Sequence, residues 1–145
     1  MKRDNSSYTV TSPDLMLTDN GISIMIISNQ KKFVDDVKLL IEKCITSSII
    51  FYVQQTPTNE QSLPWLWYVS RSVDIMIVDL DTCQWTDILA ATAKENGFVA
   101  FYSPKNKKLD AIRLLNVQAK YPILQNWEEV EQMIKKEFYG PADIQ

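Results

Sequence analysis

The sequence predicts a three-layer α/β domain, in which a parallel β-sheet lies between two layers of helices. Short apolar segments rich in Ile and Val recur along the chain, and segments with a helical spacing of apolar residues separate them. Within the short segments the apolar residues are consecutive, as in strands that are covered on both faces. This alternation of strands and helices is typical of α/β proteins.

Five strands and five helices are predicted along the chain. The strands are expected at 22–27, 48–53, 75–78, 98–102 and 121–124. The helices are expected at 31–44, 65–73, 85–96, 107–115 and 127–138. Right-handed crossovers between such units give a doubly wound sheet. With five strands, the expected order is 2-1-3-4-5, as in flavodoxin-like folds.

The length of 145 residues indicates a single domain. We expect this domain to span residues 21–140. Residues 1–20 are polar and predict an N-terminal arm, and residues 141–145 predict a C-terminal tail. Within the arm, Val10 and the apolar residues at 15–17 can attach it to the domain.

The composition excludes several functions. A net charge of -3 and a pI of about 4.9 argue against nucleic-acid binding, which needs a broad basic face. No apolar run approaches the length of about 18 residues that predicts a membrane span. The chain has no His, and its three Gly cannot form a Gly-rich phosphate loop. Nucleotide binding through such a loop is excluded, whereas binding by another route is not; we expect no cofactor. The two cysteines, Cys44 and Cys83, are expected to be reduced thiols of a cytoplasmic protein.

Two carboxylates follow the most apolar predicted strand. Asp79 and Asp81 leave the carboxyl end of the strand at 75–78, which is the edge where ligands bind in open α/β sheets. Clustered carboxylates suit a hard metal ion or a phosphoryl site. The alternative is that both residues are solvated at the strand end, or that one of them caps the next helix.

The segment around these carboxylates resembles the third strand of response-regulator receiver domains. The pattern is Asp74-x-x-x-x-Asp79 across an apolar run, and the resemblance implies that Asp79 is the phosphoacceptor. Ser103 lies where receivers carry a Ser or Thr, and Ile123 to Val130 is similar to their last strand and helix start. The resemblance covers about residues 21–138.

The sequence departs from receivers at two positions that matter for phosphorylation. Receivers carry an acidic pair after the first strand, where this chain has Ser28, Asn29 and Gln30. Receivers carry Lys-Pro after the fifth strand, where this chain has Gln125 and Asn126. Without the acids a divalent cation has too few oxygen ligands, and without the Lys the phosphoryl group loses a positive charge. The resemblance therefore implies a degenerate receiver that does not autophosphorylate.

A second, weaker resemblance is to nucleoside 2-deoxyribosyltransferase-like proteins. It implies a catalytic carboxylate at Asp87, in the helix that follows the Asp79 strand, where that family has Glu. The small-residue loops of that family are absent here. Asp87 also suits the first turn of a helix, where the helix dipole favours a carboxylate.

The helix at 65–73 carries a candidate interface residue. Trp65, Tyr68 and Val69 are expected to share one face, at positions i, i+3 and i+4. Trp67 lies on another side, and exposed Trp is favoured in protein interfaces. The alternative is that the preceding loop covers Trp67.

A second candidate surface is the basic cluster of the helix at 107–115. Its members are Lys105, Lys107, Lys108 and Arg113. The cluster can meet an acidic partner, or it can be the solvated end of a helix. Four charges are too few to predict nucleic-acid binding.

We expect a non-catalytic protein-interaction or assembly module with a pseudo-receiver fold, whose partner is another protein or a second copy of the chain. Its interaction surface includes Trp67 and the basic cluster, and it needs no metal. One alternative is a small enzyme that uses Asp79, Asp81 and Asp87. The other is a phosphoacceptor switch that binds metal at Asp79 and Asp81. The small size and the Asn, Lys and Ile usage also suit an accessory viral protein.

Overall fold

The protein forms one six-stranded sheet in which every described pair of neighbouring strands is parallel. A computed structural model of the chain describes residues 7–11, 21–45, 48–54, 60, 62–92, 98–104 and 123–139. The strands are β1 Ser7–Thr11, β2 Ile22–Ile27, β3 Ile49–Gln54, β4 Ile75–Asp79, β5 Phe98–Tyr102 and β6 Ile123–Leu124. The helices are α1 Lys31–Cys44, α2 Ser62–Ser72, α3 Trp85–Thr92 and α4 Trp127–Tyr139.

The strand order is β1-β3-β2-β4-β5-β6. The five predicted strands are β2 to β6, and they have the expected order 2-1-3-4-5 among themselves. The predicted number of strands is wrong, because Ser7–Thr11 in the expected arm pairs with β3. An edge strand can bury one face alone, so it needs fewer apolar residues than a central strand. Here Val10 is 6% exposed between the exposed Thr9 and Thr11.

Helices cover both faces of the sheet, as predicted. Successive strand residues point to opposite faces, and β2 contributes Met25 and Ile27 to one apolar core and Ile24 and Ile26 to the other. The first core contains buried residues of α2 and α3, and the second contains those of α1 and α4. All residues of β3 and β4 are buried, which explains their unbroken apolar sequence.

The start of β2 needs Gly21. Its φ of 92° lies in the left-handed region, which residues with a Cβ rarely adopt. A Cβ at this position would overlap the carbonyl oxygen of Ser48 and lie 2.8 Å from the carbonyl carbon. That carbonyl accepts a hydrogen bond of 2.8 Å from the backbone N–H of Ile22. Glycine therefore lets the chain enter β2 against the start of β3.

The aromatic helix α2 buries only part of the face that Trp65, Tyr68 and Val69 were expected to share. Trp65, Leu66 and Val69 are buried, whereas Tyr68 is 51% exposed. The buried stripe takes in Leu66 and leaves Tyr68 outside it. Trp67 is half-buried and packs against the core.

Several predicted features lie outside the described residues. They are the helix at 107–115 with Lys105, Lys107, Lys108 and Arg113, the first half of the strand at 121–124, the tail at 141–145 and most of the arm. Both cysteines are buried, and neither forms a disulfide. Among the described helices, none is long and apolar enough to cross a membrane.

Candidate functional site

The carboxyl ends of three neighbouring strands bring polar side chains together. Ser28 follows β2, Asp79 ends β4 and Ser103 follows β5. All three are buried, and Asp79 is only 2% exposed. Parallel strands end at the same edge, so loops from separate parts of the sequence meet here.

The Asp79 carboxylate accepts three hydrogen bonds from neutral side chains, all at the oxygen Oδ2. Ser28 Oγ donates at 2.6 Å, and Thr82 Oγ1 donates at 2.9 Å. Gln30 Nε2 donates at 3.2 Å. Ser28 Oγ also accepts a hydrogen bond of 3.0 Å from the backbone N–H of Gln30, which fixes the serine hydroxyl. The charge is thus stabilised by hydroxyl and amide dipoles, with no cationic side chain among the described residues bonded to it.

The loops after β2 and β4 are joined by further hydrogen bonds. Asn29 Nδ2 donates to the backbone oxygen of Thr82 at 2.8 Å, and the backbone N–H of Asn29 donates to Thr82 Oγ1 at 3.2 Å. The backbone N–H of Cys83 donates to the backbone oxygen of Asp79 at 3.0 Å, which closes the turn after β4. Thr82, in the loop after β4, is therefore hydrogen-bonded both to the Asp79 carboxylate and to the loop after β2.

Asp81 has a different partner from Asp79. Ser103 Oγ donates to Asp81 Oδ1 at 2.6 Å. The backbone N–H of Ser103 donates to the oxygen of Leu124 at 2.8 Å, which ties this residue to the end of β6. Ser103, at the position where receivers carry Ser or Thr, therefore donates its hydroxyl hydrogen bond to Asp81 in this protein.

A cavity of about 460 Å³ opens beside the two carboxylates. Its polar lining is Gln30, Lys32, Asp36, Asp79, Asp81 and Thr82, and its apolar lining is Phe33, Tyr102, Pro104 and Trp127. The rings of Tyr102 and Trp127 are stacked at a centroid distance of 5.1 Å, and Phe33 lies 5.2 Å from Tyr102. Part of the lining is thus an aromatic wall, and the rest is largely acidic and polar.

The electrostatics of the cavity act on Tyr102. Burial raises the pKa of its phenol above the usual value, and the nearby carboxylates of Asp79 and Asp81 raise it further. The phenol therefore stays protonated over the whole physiological range. At the rim, Lys32 donates to Asp36 Oδ2 at 2.8 Å, so these two charges offset each other.

Asp87 and Asp74 lie away from this cavity. Asp87 Oδ2 accepts a hydrogen bond of 2.8 Å from the backbone N–H of Gln84, which caps the start of α3. Asp74 Oδ2 accepts a hydrogen bond of 3.0 Å from the backbone N–H of Ser23 at the amino edge of the sheet. Asp79 and Asp81 line the cavity, and Asp87 is not among its lining residues.

Gln125 and Asn126 are used at the start of α4. Asn126 Oδ1 accepts a hydrogen bond of 2.9 Å from the backbone N–H of Glu129, which caps the start of α4. Glu129 Oε1 in turn accepts a hydrogen bond of 2.6 Å from the backbone N–H of Gln125, the residue before the cap. The two bonds tie the first turn of α4 to the segment that leads into it. Neither residue lines the cavity.

The residues at the site do not fit the divalent cation that the receiver resemblance implies. Within the described ranges, no group of three or more His, Cys, Asp or Glu side chains is placed to hold a metal ion. Asp79 Oδ2 is already occupied by three donors, and Asp81 Oδ1 by one. Oδ2 of Asp79 and Oδ1 of Asp81 are thus engaged by protein N–H and O–H groups, which leaves a hard cation fewer acceptors.

Sequence reasoning missed the aromatic wall. Phe33, Tyr102 and Trp127 occupy apolar positions of a helix, a strand and a helix start, and nothing in their local sequence separates them from core residues. Thr82 and Gln30 are recognisable in the sequence as polar residues after strands. The sequence does not show that both donate to Asp79.

No protein-family model matches the sequence, and no curated protein matches it. The receiver-like and transferase-like resemblances therefore depend on the residues and on the fold alone.

Proposed function

We propose that the protein is a non-catalytic protein-interaction or assembly module with a degenerate receiver-like fold. The observation that carries this proposal is the set of three neutral donors on Oδ2 of Asp79. These donors engage one of the two carboxylate oxygens that could ligate a cation or attack a phosphoryl group. The carboxylate serves as the anchor of a structural network.

The physical argument concerns the charge that phosphoryl transfer needs. A transferred phosphoryl group carries negative charge, which metal ions and Lys or Arg side chains stabilise. Ser28 and Asn29 replace the acids that would hold the metal, and Gln125 replaces the Lys. Placing a phosphoryl group beside Asp81 without these cations is unfavourable. The site supports a fixed conformation better than a phosphorylation switch.

The interaction role is supported by apolar side chains on the surface. Leu39 of α1 is 65% exposed and Tyr68 of α2 is 51% exposed. Both are candidate contacts for a protein partner or for a second copy of the chain, together with Trp67 and the basic cluster. The two reduced cysteines favour a cytoplasmic location.

The direct test is incubation with a small-molecule phosphoryl donor and Mg²⁺, followed by intact-mass measurement. We expect no phosphorylated species from the natural protein. The double variant Ser28→Asp/Asn29→Asp, which supplies the acidic pair, is the matched control for a cation site. A phosphorylated natural protein whose label disappears in Asp79→Asn would refute the proposal and favour the switch.

A second candidate is a small-ligand enzyme, and the 460 Å³ cavity favours it. The transferase-like version gains no support from Asp87, whose carboxylate caps α3. A panel of nucleosides and nucleotides tests this candidate by thermal unfolding. A nucleoside that stabilises the natural protein and is hydrolysed or exchanged in an Asp79-dependent manner would establish the enzyme and remove the interaction module.

A further inference from the structure

A second concavity adjoins the cavity at the strand ends. It is a groove of about 320 Å³ between α1 and the start of α4, lined by Asp36, Leu39, Leu40, Lys43 and Trp127. Asp36 and Trp127 line both the groove and the cavity. The two concavities therefore form one continuous surface, with an acidic and aromatic end and an apolar end.

At the acidic end, Asp79 has a hydrogen-bonding capacity that the described residues leave unused. The donors from Ser28, Gln30 and Thr82 all reach Oδ2. None of the described residues donates to Oδ1, although the side chain is 2% exposed and lines the cavity. Because Asp79 lines the cavity, a donor that enters the cavity can reach the remaining oxygen.

We propose that this surface binds a polypeptide partner, which places a basic side chain in the cavity and an apolar side chain in the groove. The inference rests on the proposed function and names the partner chemistry of the module. The basic group donates to Asp79, and its flat face or methylene stem packs on the aromatic wall. The partner's apolar residue covers Leu39.

Charge and shape select a basic side chain over other groups. A cation gains from the carboxylates and from the ring faces of Phe33, Tyr102 and Trp127. An anion would be repelled by Asp79 and Asp81. Arg suits the site best, since its planar guanidinium can both stack on a ring and donate to a carboxylate.

The groove explains why the cation belongs to a polypeptide. Phe33 at the cavity and Leu40 at the groove are seven residues apart on α1, about 10 Å along the helix axis. An extended peptide covers this distance in about three residues. The partner motif is therefore Leu-x-x-Arg or its reverse. A free small cation would use the cavity and gain nothing from the groove.

The test uses four-residue peptides and the full-length protein. The probes are acetyl-Leu-Ala-Ala-Arg-amide, its reverse, and versions with citrulline for Arg or Ala for Leu. Citrulline keeps the shape of Arg and removes the charge. Binding is followed by the indole N–H signal of Trp127 in NMR spectra of the ¹⁵N-labelled protein. The variant Trp127→Phe assigns this signal among the four tryptophans.

One of the two Arg peptides is expected to shift the Trp127 signal in a saturable manner. Citrulline should weaken binding about tenfold or more, because a charge-assisted hydrogen bond to a buried carboxylate is lost. Replacing Leu by Ala in the peptide, or Leu39→Ala in the protein, should weaken binding about threefold to tenfold. Asp79→Asn should weaken binding of the Arg peptide by a similar factor, because it removes the charge on the protein. Asp35→Asn, which removes a charge of α1 that does not line the cavity, should change affinity about twofold or less.

Three results would overturn the proposal. They are equal binding of the citrulline peptide, equal binding of acetyl-Arg-amide without Leu, and no shift at millimolar peptide. The citrulline comparison uses the natural protein, so it holds even if Asp79→Asn fails to fold. If the peptides fail while Mg²⁺ and beryllofluoride leave the protein unchanged, the proposed function stands without this partner. If Mg²⁺ and beryllofluoride stabilise the protein, both proposals fail.

Discussion

At the residue scale, the Ser28 hydroxyl both donates and accepts a hydrogen bond in the site. It donates to Asp79 at 2.6 Å and accepts from the backbone N–H of Gln30 at 3.0 Å. The bond to Asp79 is buried, and the bond from Gln30 is partly buried. A single oxygen thus links the carboxylate at the end of β4 to the residue before α1.

Replacing Ser28 with Ala is therefore expected to lower the free energy of unfolding by about 1–3 kcal/mol, the cost of leaving a buried polar group unsatisfied. The control is Ser72→Ala, which removes an exposed hydroxyl bonded to the oxygen of Tyr68. That change should cost about 0.5 kcal/mol or less. Urea denaturation of both variants measures the difference. Equal losses would mean that the Asp79 network contributes no more than a surface bond.

The raised pKa of Tyr102 predicts a pH dependence of stability. Above the unfolded-state pKa of about 10, the unfolded chain releases a proton that native Tyr102 retains, so stability falls as pH rises. Burial raises the pKa of Tyr52 as well, and this residue contributes with the same sign. Tyr102→Phe should reduce the loss of stability in this window without abolishing it. An unchanged slope between pH 9 and pH 11 would show that neither burial nor the nearby carboxylates raise the pKa of Tyr102 in the folded protein.

At the scale of the element, the question for β1 is whether residues 7–11 are an edge strand of the folded domain or a loosely attached arm. Val10→Ala should destabilise the protein by about 1–2 kcal/mol, because about two buried methyl groups are lost from the core. The exposed neighbour Thr9 is the control, and Thr9→Ala should cost about 0.5 kcal/mol or less. Thermal or urea unfolding provides the comparison. Equal, small effects would indicate that residues 7–11 contribute little to the folded domain.

The entry into β2 makes a second prediction at this scale. Gly21→Ala should cost about 1–3 kcal/mol, because a Cβ is strained at this φ and meets the Ser48 carbonyl. The Ser48 Cβ lies 3.0 Å from the same position. The double variant Gly21→Ala/Ser48→Gly removes that side-chain contact and leaves the carbonyl in place. The double variant should be no more stable than Gly21→Ala. A recovery of stability would mean that the Ser48 side chain, rather than its backbone carbonyl, excludes a Cβ at position 21.

The sequence predicted some strands more completely than others. The central strands β3 and β4 are covered on both faces, so their unbroken apolar runs predict strands directly. β1 was missed because an edge strand with one buried Val resembles a polar arm. At the site, strand-end position alone identified Asp79 and Asp81. The donors to Asp79 could not be assigned, since Ser28 and Thr82 meet it only through the pairing of β2 with β4.

At the scale of the whole molecule, a parallel sheet brings a hydrogen-bonded network of polar side chains to the carboxyl ends of its strands. The same edge carries a cavity with an aromatic wall, and α1 extends that surface to the exposed Leu39. The network keeps the loops after β2 and β4 in one arrangement. The α1–α4 surface can then present a constant shape to a partner.

The cation site can be tested by restoring its acids. In Ser28→Asp/Asn29→Asp, new carboxylates replace the neutral residues beside Asp79, so the variant should be less stable than the natural protein without metal. Saturating Mg²⁺ should return about 2.7 kcal/mol at 100 times its Kd, a rise of several degrees in Tm. Ca²⁺ and Na⁺ serve as comparisons. A variant that is indifferent to Mg²⁺ would show that this edge cannot be made into a receiver cation site by its acids alone.

The most direct measurement is the thermal unfolding of the natural protein with and without Mg²⁺ and beryllofluoride, which mimics a phosphoryl group on a carboxylate. We expect the same Tm in both conditions, because Ser28 and Asn29 replace the acids that would hold the cation and because Oδ2 of Asp79 is engaged by neutral donors. A rise of several degrees that is lost in Asp79→Asn would contradict it. That result would mean that the donors give way to a cation, and that the protein is a phosphoacceptor switch.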